Sequence, residues 1–272
     1  MLRPRVIPTL LLRDESLVKT VTFGRFRYIG DPTNTVRIFN ELEVDELVFL
    51  DITATVDGRE PNVRLLAQIA DECFMPLGYG GGVRTFAQAQ AILGIGFEKV
   101  VVNSHAVADP SFVTSLADHF GSQAVVASID VKRDRRGQPS VWTRSGTVDT
   151  GREPVGWARE LELLGAGEIL LTAIDREGTW SGYDLDLVRE VSAAVRVPLI
   201  ANGGAGSVEH IGEAIRTGGA SAAAVGSMVV FQKQGMGVLV SFPSPTDLDR
   251  AMAGDGDAPG PIKPQEPVAN SR

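Results

Sequence analysis

An internal repeat restricts the possible folds of this 272-residue chain more than any other feature. Residues Glu46–Asp51 align with Glu168–Ala173, and Arg5–Leu11 align with Ala124–Asp130, at offsets of about 120 residues. A repeat of this length is not a solenoid, whose units contain roughly 20–50 residues. The two halves therefore indicate two copies of one half-barrel.

Short apolar runs alternate with amphipathic helical patterns in both halves. Near-continuous apolar strands separated by helices indicate a parallel sheet that is covered on both faces. Eight strand–helix units in about 250 residues predict an α/β fold, a single (β/α)8 TIM barrel built from two repeated half-barrels. The alternative is a doubly wound open sheet, but the repeat shows no sign of the topological switch point that such a sheet needs. The predicted strands are residues 5–12, 46–51, 76–80, 99–103, 124–130, 168–173, 198–202 and 221–226.

The barrel is predicted to span residues 1–252. Residues 253–272 are rich in proline, glycine and charge. Their few apolar side chains would not offset the entropy that is lost on ordering. We expect a disordered C-terminal tail without a catalytic role.

Composition excludes several classes of partner. The net charge of −8 argues against a general nucleic-acid surface. No segment approaches the roughly 18 consecutive apolar residues of a membrane span, and the N-terminus lacks the pattern of a signal peptide. The single cysteine, Cys73, excludes an internal disulfide. We expect a cytoplasmic protein with no nucleic-acid partner and no membrane partner.

We expect no metal site and no cofactor. His105, His119 and His210 are scattered along the sequence and lack the spacing of metal ligands. A single cysteine also cannot form a cysteine metal cluster.

Two glycine-rich segments, Pro76–Gly82 and Pro198–Gly206, each end an apolar run just before a helical pattern. Glycine permits positive φ and has no Cβ, so backbone N–H groups can approach an anion closely. A helix N-terminus beyond each segment adds a partial positive charge. The pair predicts a phosphorylated small-molecule substrate with two phosphates or other anionic groups.

In a TIM barrel, chemistry takes place at the C-terminal ends of the strands. Hydroxyl, carboxylate and glycine residues cluster at these ends. A single aspartate there is as readily a loop cap as a catalytic group, but the whole cluster favours a functional site. The residues at the predicted strand ends are Leu11, Asp51, Gly80–Gly82, Asn103, Ser104, Asp130, Thr172, Asn202–Gly204, Gly226 and Ser227.

The opposite end of the barrel carries charges. Arg5, Glu46, Lys99 and Glu168 each stand at the start of a predicted strand. Two acids and two bases at one barrel end form either a stabilising network or a charged ring around an opening. The residues alone leave both interpretations open.

Several long strings carry a family resemblance, among them Val44–Ala54, Gly165–Thr172 and Gly203–Gly206. On these strings the chain resembles the cyclase subunit of imidazole glycerol phosphate synthase, the HisF family, over residues 2 to about 231. The resemblance implies a TIM barrel that takes ammonia from a separate glutaminase (HisH-like) subunit as a heterodimer. Ammonia would pass from the barrel bottom through its centre to the substrate.

The resemblance also implies roles for individual residues. It makes the ring at the barrel bottom an ammonia gate, formed by Arg5, Glu46, Lys99 and Glu168. It places Glu98 and Gln123 on the face that would meet the glutaminase. The substrate- and phosphate-binding positions that it implies are Lys19, Asp51, Gly82, Asn103, Ser104, Gly178, Thr179, Gly203, Gly204, Gly226 and Ser227.

One position departs from the family. The family's cyclase uses two aspartates as general acid and base, at the ends of the first and fifth strands. Asp130 supplies the second, but Leu11 stands at the position of the first. Leucine cannot transfer a proton, and a general acid–base step typically contributes roughly 10²–10⁴-fold in rate. Asp14, three residues further on, faces elsewhere if the strand continues.

The chain also resembles a paralogous branch of the family, the glycosyl amidation-associated (WbuZ-like) branch of surface-polysaccharide pathways. The shared strings are Leu2–Pro8, Pro76–Gly82 and Phe242–Pro245. This resemblance implies that the barrel and a glutaminase deliver ammonia to a third enzyme, which converts an acetamido sugar into an acetamidino sugar. An intact ring together with an incomplete acid–base pair fits this role.

Three functions remain open. The first is ammonia delivery in sugar amidation, which Leu11 favours. The second is the cyclase and lyase reaction of histidine biosynthesis, in which a bis-phosphate ribonucleotide and ammonia give imidazole glycerol phosphate and AICAR. Asp130 would then be the main acid–base group. The third is activation of the glutaminase without chemistry in the barrel. At the family level we expect an enzyme of the imidazole glycerol phosphate synthase type.

Overall fold

The computed structural model describes residues 3–254 of the chain. Twelve strands in this part form one sheet. They are β1 (Arg5–Arg13), β2 (Ser16–Lys19), β3 (Arg27–Gly30), β4 (Leu47–Asp51), β5 (Leu77–Gly80), β6 (Lys99–Val102), β7 (Val125–Arg133), β8 (Pro139–Thr143), β9 (Val148–Asp149), β10 (Glu168–Ala173), β11 (Leu199–Asn202) and β12 (Ala222–Val225).

Eight of these strands run parallel and close into a barrel. Strand β1 pairs with β4 on one side and with β12 on the other, and β7 completes the circle by pairing with β10. In that closing pair, Asp130 lies beside Thr172. The predicted TIM barrel is confirmed. The doubly wound alternative is wrong, because an open sheet would leave two of these strands as unpaired edges. The order around the barrel is β1, β4, β5, β6, β7, β10, β11 and β12.

Helices cover the outside of the barrel and begin at residues that the sequence marks. The Asp31 side chain accepts a hydrogen bond from the N–H of Asn34 at the start of the first helix, and Thr85 forms a capping box with Gln88. The helices are α1 (Pro32–Glu41), α2 (Ala54–Asp57), α3 (Val63–Glu72), α4 (Phe86–Gly94), α5 (Ser104–Ala108), α6 (Ser111–Phe120), α7 (Pro154–Leu163), α8 (Leu185–Ser192), α9 (Val208–Arg216), α10 (Ser227–Val230) and α11 (Pro245–Ala253).

Two antiparallel hairpins extend the barrel at its C-terminal end, and the sequence did not predict them. Strand β2 folds back on the end of β1, with Leu11 beside Val18, and then pairs with β3. Strand β8 folds back on the end of β7, with Asp130 beside Trp142, and then pairs with β9. The hairpins therefore rise from strands that correspond in the two repeated halves, and they flank the end where chemistry is expected.

The barrel interior is packed with aliphatic side chains. Most of these side chains are large, but β12 contributes two alanines. The part of the interior next to β12 is therefore lined by small side chains. The larger core lies outside the barrel, between the strands and the surrounding helices. The interior cluster consists of Ile7, Val48, Val101, Val126, Leu170, Ile200, Ala222 and Ala224.

Helix α11 ends at Ala253, at the predicted start of the C-terminal tail. It packs against α9, where Gly212 leaves room for the backbone of Ala251. The rest of the predicted tail, residues 255–272, lies outside the described residues. Among residues 3–254, no helix is long and apolar enough to cross a membrane.

Candidate functional site

A cavity of about 810 Å³ opens at the C-terminal ends of the barrel strands. Residues from the barrel strands and from both hairpins line it, as expected for a TIM barrel site. The structure therefore brings a large part of the predicted site together in one space. The predicted site residues that line the cavity are Leu11, Lys19, Asp51, Gly82, Asn103, Ser104 and Asp130.

Asp130 is the carboxyl group in this cavity that is best placed for proton transfer. The side chain of Asn103 donates from Nδ2 to Asp130 Oδ2 at 2.8 Å, and Ser128 Oγ lies 3.5 Å from Oδ1. Burial raises the pKa of Asp130 to about 7, although Thr172, Asn103 and Ser128 favour the charged form. A carboxyl group with this pKa can both donate and accept a proton near neutral pH.

Leu11 lines the same cavity and is 7% exposed. It lies on β1 beside Leu50 of β4 and Val18 of β2, so its neighbours in the sheet are aliphatic. Asp14 does not take its place. It lies in the turn after β1 with a φ of 56°, its side chain is 76% exposed, and its nearest cation is Arg59 at 3.9 Å. The first of the two expected carboxylates is therefore missing from the site.

Lys19 and Glu177 form a buried pair of opposite charges beside the cavity. Lys19 Nζ donates to the carbonyl oxygen of Thr9 at 3.2 Å, and Gly226 leaves the space that the ammonium group occupies. Burial lowers the pKa of Lys19, while the nearby carboxylate of Glu177 opposes this change. Burial raises the pKa of Glu177, while Lys19 and the N–H of Phe23 oppose that change. Both groups line the cavity.

The first glycine-rich segment borders the cavity, but part of its hydrogen-bonding capacity is used within the protein. The N–H of Gly82 donates to Thr55 Oγ1 at 3.2 Å. Ser104 Oγ accepts from the N–H of Arg144 at 3.0 Å and keeps its own proton for another acceptor. Asn103 Oδ1 is buried and has no hydrogen-bond partner within the described part of the chain.

The second group of predicted phosphate residues lies outside the lining of this cavity, in the loop after β10 and at the ends of β11 and β12. Gly203 and Gly204 have φ values of 93° and 110°, and a Cβ on Gly203 would lie 2.6 Å from the carbonyl oxygen of Ala173. Close backbone packing thus requires glycine at these positions whether or not an anion binds. This group consists of Gly178, Thr179, Gly203, Gly204, Gly226 and Ser227.

Asp51 is buried and acts as a cap for the turn after β4. Its Oδ1 accepts from the N–H groups of Thr53 and Ala54 at 3.0 and 2.9 Å. Its Oδ2 lies 3.4 Å from Arg59 Nη1. These contacts correspond to the loop-cap role that the sequence left open for a single aspartate.

The four charged residues at the barrel bottom form a closed ring of alternating ion pairs. Arg5 lies 2.5 Å from Glu46 and 2.7 Å from Glu168. Lys99 Nζ lies 2.8 Å from Glu46 Oε1 and 3.0 Å from Glu168 Oε2. Burial opposes the charge on Arg5, but the carboxylates of Glu168 and Glu46 outweigh it and raise the pKa of Arg5. The ring closes the end of the barrel opposite to the cavity.

A shallow groove of about 470 Å³ runs beside this ring on the bottom face. Glu98 and Gln123, the residues expected at the glutaminase contact, are exposed and line it together with Lys99 of the ring. Two large apolar side chains are also exposed at this end, Phe74 in the loop before β5 at 89% and Leu163 at the end of α7 at 88%. Single exposed apolar side chains are common on protein surfaces, so these two do not by themselves mark a protein contact.

Several residues of the cavity were not predicted from the sequence. Ser128 and Glu177 line it, and so do the cations Arg84 and Arg144. Ser128 carries a signal that the sequence analysis missed, because it stands two residues before Asp130 and so on the same face of the strand. Arg144 lies in the β8–β9 turn, which was not predicted. No group of three or more histidine, cysteine, aspartate or glutamate residues within residues 3–254 is arranged to hold a metal ion.

Residues 5–234 match the family model described as "Histidine biosynthesis protein". The match covers every strand of the barrel and both hairpins. The fold and the site thus define a barrel of this class.

Individual relatives show to which family within this class the chain belongs. A Pseudomonas aeruginosa protein described as "Putative imidazole glycerol phosphate synthase subunit hisF2" is 48% identical over 249 residues, 92% of this chain and 99% of that protein. A similarly described Leptospira borgpetersenii protein is 46% identical over 252 residues, 92% of this chain and 98% of that one. "Imidazole glycerol phosphate synthase subunit HisF" of Alkaliphilus metalliredigens is 46% identical over 228 residues, 84% and 90% of the two chains. The chain belongs to the HisF family.

Proposed function

We propose that this chain is the barrel subunit that takes ammonia from a partner glutaminase of the HisH type and delivers it in a sugar-amidation system of surface-polysaccharide biosynthesis. One observation carries the proposal. The charged ring at the bottom is complete, whereas the cavity at the top has Leu11 where the cyclisation reaction would need a carboxylate. Such a barrel can still conduct ammonia but lacks one of the two groups for proton transfer.

The glutaminase would dock on the bottom face. The groove lined by Glu98 and Gln123 adjoins Lys99 of the ring, so a partner seated there would release ammonia next to the ring. The exposed side chains of Phe74 and Leu163 would add apolar area if the partner covers them. The polar groups of the groove would fix the orientation of the partner.

The ring supports a conduit better than a purely structural role. Replacing a buried set of ion pairs with apolar residues is often neutral or stabilising. Lys99 is the member best suited to move, because its ammonium sits on a flexible stem whereas Arg5 bridges both glutamates with a rigid fork. Displacement of Lys99 would leave Arg5 to hold both carboxylates. Neutral ammonia would then enter the aliphatic interior, which does not favour ammonium.

At the other end, ammonia would reach the cavity beside Asp130. In the proposed system a third enzyme, an amidotransferase-type ligase, activates the amide oxygen of an acetamido sugar with a nucleoside triphosphate. The ammonia then displaces the activated oxygen and gives an acetamidino sugar. Leu11 is compatible with this division of labour, because the barrel then needs no second acid–base group.

A substrate would bind at the first predicted anion site inside the cavity and extend to the second, whose residues lie outside the cavity lining. Ser104 and Asn103 would contribute at the first, together with Gly82. Gly204 and Ser227 would contribute at the second, which the buried ammonium of Lys19 approaches at Gly226. We further propose that the protein works in the cytoplasm and that its tail beyond residue 252 has no part in the reaction.

The second candidate is the cyclase and lyase reaction itself. The pKa of Asp130, raised to about 7 by burial, favours it, because one carboxyl group could then serve as both acid and base. The "Imidazole glycerol phosphate synthase subunit HisF" description of the Alkaliphilus relative also favours it. A third candidate, activation of the glutaminase without chemistry in the barrel, would leave the cavity without a use.

An assay of the purified barrel separates these candidates. The barrel is incubated with an ammonium salt and the bis-phosphate substrate of the histidine pathway, with a relative that has both aspartates as the reference enzyme. Ammonia delivery predicts turnover far below the reference, while a tagged barrel still retains a glutaminase and stimulates its glutamine hydrolysis. Turnover equal to the reference would contradict the proposal and favour the cyclase. Variants at the cavity that leave glutaminase stimulation and product formation unchanged would favour the activator.

A further inference from the structure

Two arginines without a carboxylate partner stand at one wall of the cavity. Arg84 follows the first glycine-rich segment, and Arg144 lies in the β8–β9 turn; both line the cavity. Arg84 Nη2 donates to the carbonyl oxygen of Gly58 at 3.0 Å, and Arg144 Nη2 donates to that of Val56 at 3.3 Å. Within the described residues, no carboxylate lies within 4.0 Å of either guanidinium. Both arginines are thus exposed residues of the cavity wall that form no ion pair within the described part of the chain.

The turn that carries Arg144 is held in an unusual conformation. Arg144 and Ser145 have φ values of 52° and 56°, a region that side chains other than glycine rarely adopt. Ser104 Oγ accepts from the N–H of Arg144, and Ser145 Oγ donates to the carbonyl oxygen of Ile52. Such a backbone persists only where its surroundings impose it. The contacts thus fix the position of Arg144 over the cavity.

Both guanidinium groups contact the C-terminal end of α2, through the carbonyl oxygen of Val56 in the helix and that of Gly58 just after it. Each guanidinium presents paired N–H donors that match the oxygens of a phosphate group. The hydroxyl proton of Ser104 adds a donor at the same wall. One guanidinium group can bind a single phosphate group, whereas two guanidinium groups held at the same helix end match two linked phosphate groups.

We infer that this wall of the cavity is a diphosphate-binding subsite in which Arg84 and Arg144 each hold one phosphate group. The small-molecule substrate would then carry a diphosphate ester at this end, rather than one phosphate. This inference rests on the anion-binding part of the proposed function and is independent of the ammonia route.

Calorimetric titration with inorganic pyrophosphate and with inorganic phosphate, at one fixed ionic strength, tests the inference. We expect Arg144→Ala and Arg84→Ala each to weaken pyrophosphate binding about tenfold, and to weaken phosphate binding clearly less. Arg144→Lys keeps the charge but loses the paired donors, so we expect a loss of about threefold. Arg136→Ala, an exposed arginine in the β7–β8 turn that does not line the cavity, is the matched control and should bind like the wild type.

Pyrophosphate binding that both alanine variants retain, with thermal unfolding showing them folded, would overturn the subsite. So would equal losses for phosphate and pyrophosphate, which would indicate a single-phosphate site and leave the proposed anion binding intact. If the wild type bound neither ion, both the subsite and the proposed anion binding would fail. None of these outcomes bears on the glutaminase contact, which is tested by co-purification.

Discussion

Replacing Asp130 with asparagine should stabilise the protein, and the gain should grow with pH. Burial raises the pKa of Asp130 from 3.8 to about 7. A difference of about 3 units corresponds to about 4 kcal/mol between the two protonation states. This figure is an upper limit, because the carboxyl group borders the cavity and is partly solvated. We therefore expect a gain of about 1–3 kcal/mol in the free energy of unfolding at about pH 8.

The sign of this pH dependence follows from the raised pKa of Asp130. Below about pH 4 the carboxyl group is protonated in both the folded and the unfolded chain, so it does not change the stability there. Between about pH 4 and about pH 7 the unfolded chain releases the proton while the folded chain keeps it, and stability falls as pH rises. Asparagine carries no such proton, and its side-chain oxygen can still accept from Asn103. The free energy of unfolding of the variant should therefore rise relative to that of the wild type as the pH increases through this range.

Urea unfolding from about pH 4 to about pH 9 measures the effect as a difference between the two free energies of unfolding. Asp118→Asn, on the exposed surface of α6, is the matched control for the loss of one negative charge. A difference between Asp130→Asn and the wild type that stays constant over this range would refute the reasoning. A variant less stable than the wild type at about pH 8 would refute it too.

The remaining predictions concern the cavity and the second glycine group. Leu11→Asp should raise ammonia-dependent cyclase activity from a low baseline, by up to about 10²-fold, because it restores an acid–base group; no rise, with the variant folded, would count against it. Gly204→Ala should lower the free energy of unfolding by about 2–4 kcal/mol, since φ is 110° and the new Cβ would overlap with the carbonyl group of Gly182; a change below about 0.5 kcal/mol in urea unfolding would contradict the packing explanation. Crystals soaked in phosphate should show anions near Ser104 and Ser227, and two empty sites would argue against anion binding.

The barrel could be predicted from the sequence because its signals are local and repeated. Each half contains apolar runs that fit buried parallel strands, and the repeat aligns Glu46–Asp51 with Glu168–Ala173. In the structure these segments correspond to β4 and β10 within a residue. The four charges at the strand starts were also visible, but only the structure shows that they alternate in a closed ring.

The hairpins and the residues that they position could not be predicted in the same way. Strands β2, β3 and β9 are short and carry no clear alternation of apolar and polar residues, so their pairing depends on contacts with the barrel. Glu177 is buried because the loop containing Phe23 covers it, a contact across more than half the chain. Arg144 reaches the cavity only through the β8–β9 turn. The second glycine-rich segment shows a limit of the opposite kind. Its glycine pattern predicts phosphate binding, but close backbone packing alone already requires glycine at these positions.

The ammonia conduit is tested most directly by Lys99→Ala in the complex of the barrel with the glutaminase that co-purifies with it. Product formation is measured with glutamine as the nitrogen source and, separately, with an ammonium salt. The conduit predicts that the variant loses most of the glutamine-driven reaction, because Lys99 contacts both glutamates of the ring, and keeps most of the ammonium-driven reaction. Equal losses by both routes, or a barrel that retains no glutaminase, would contradict the conduit and leave the ring a structural feature.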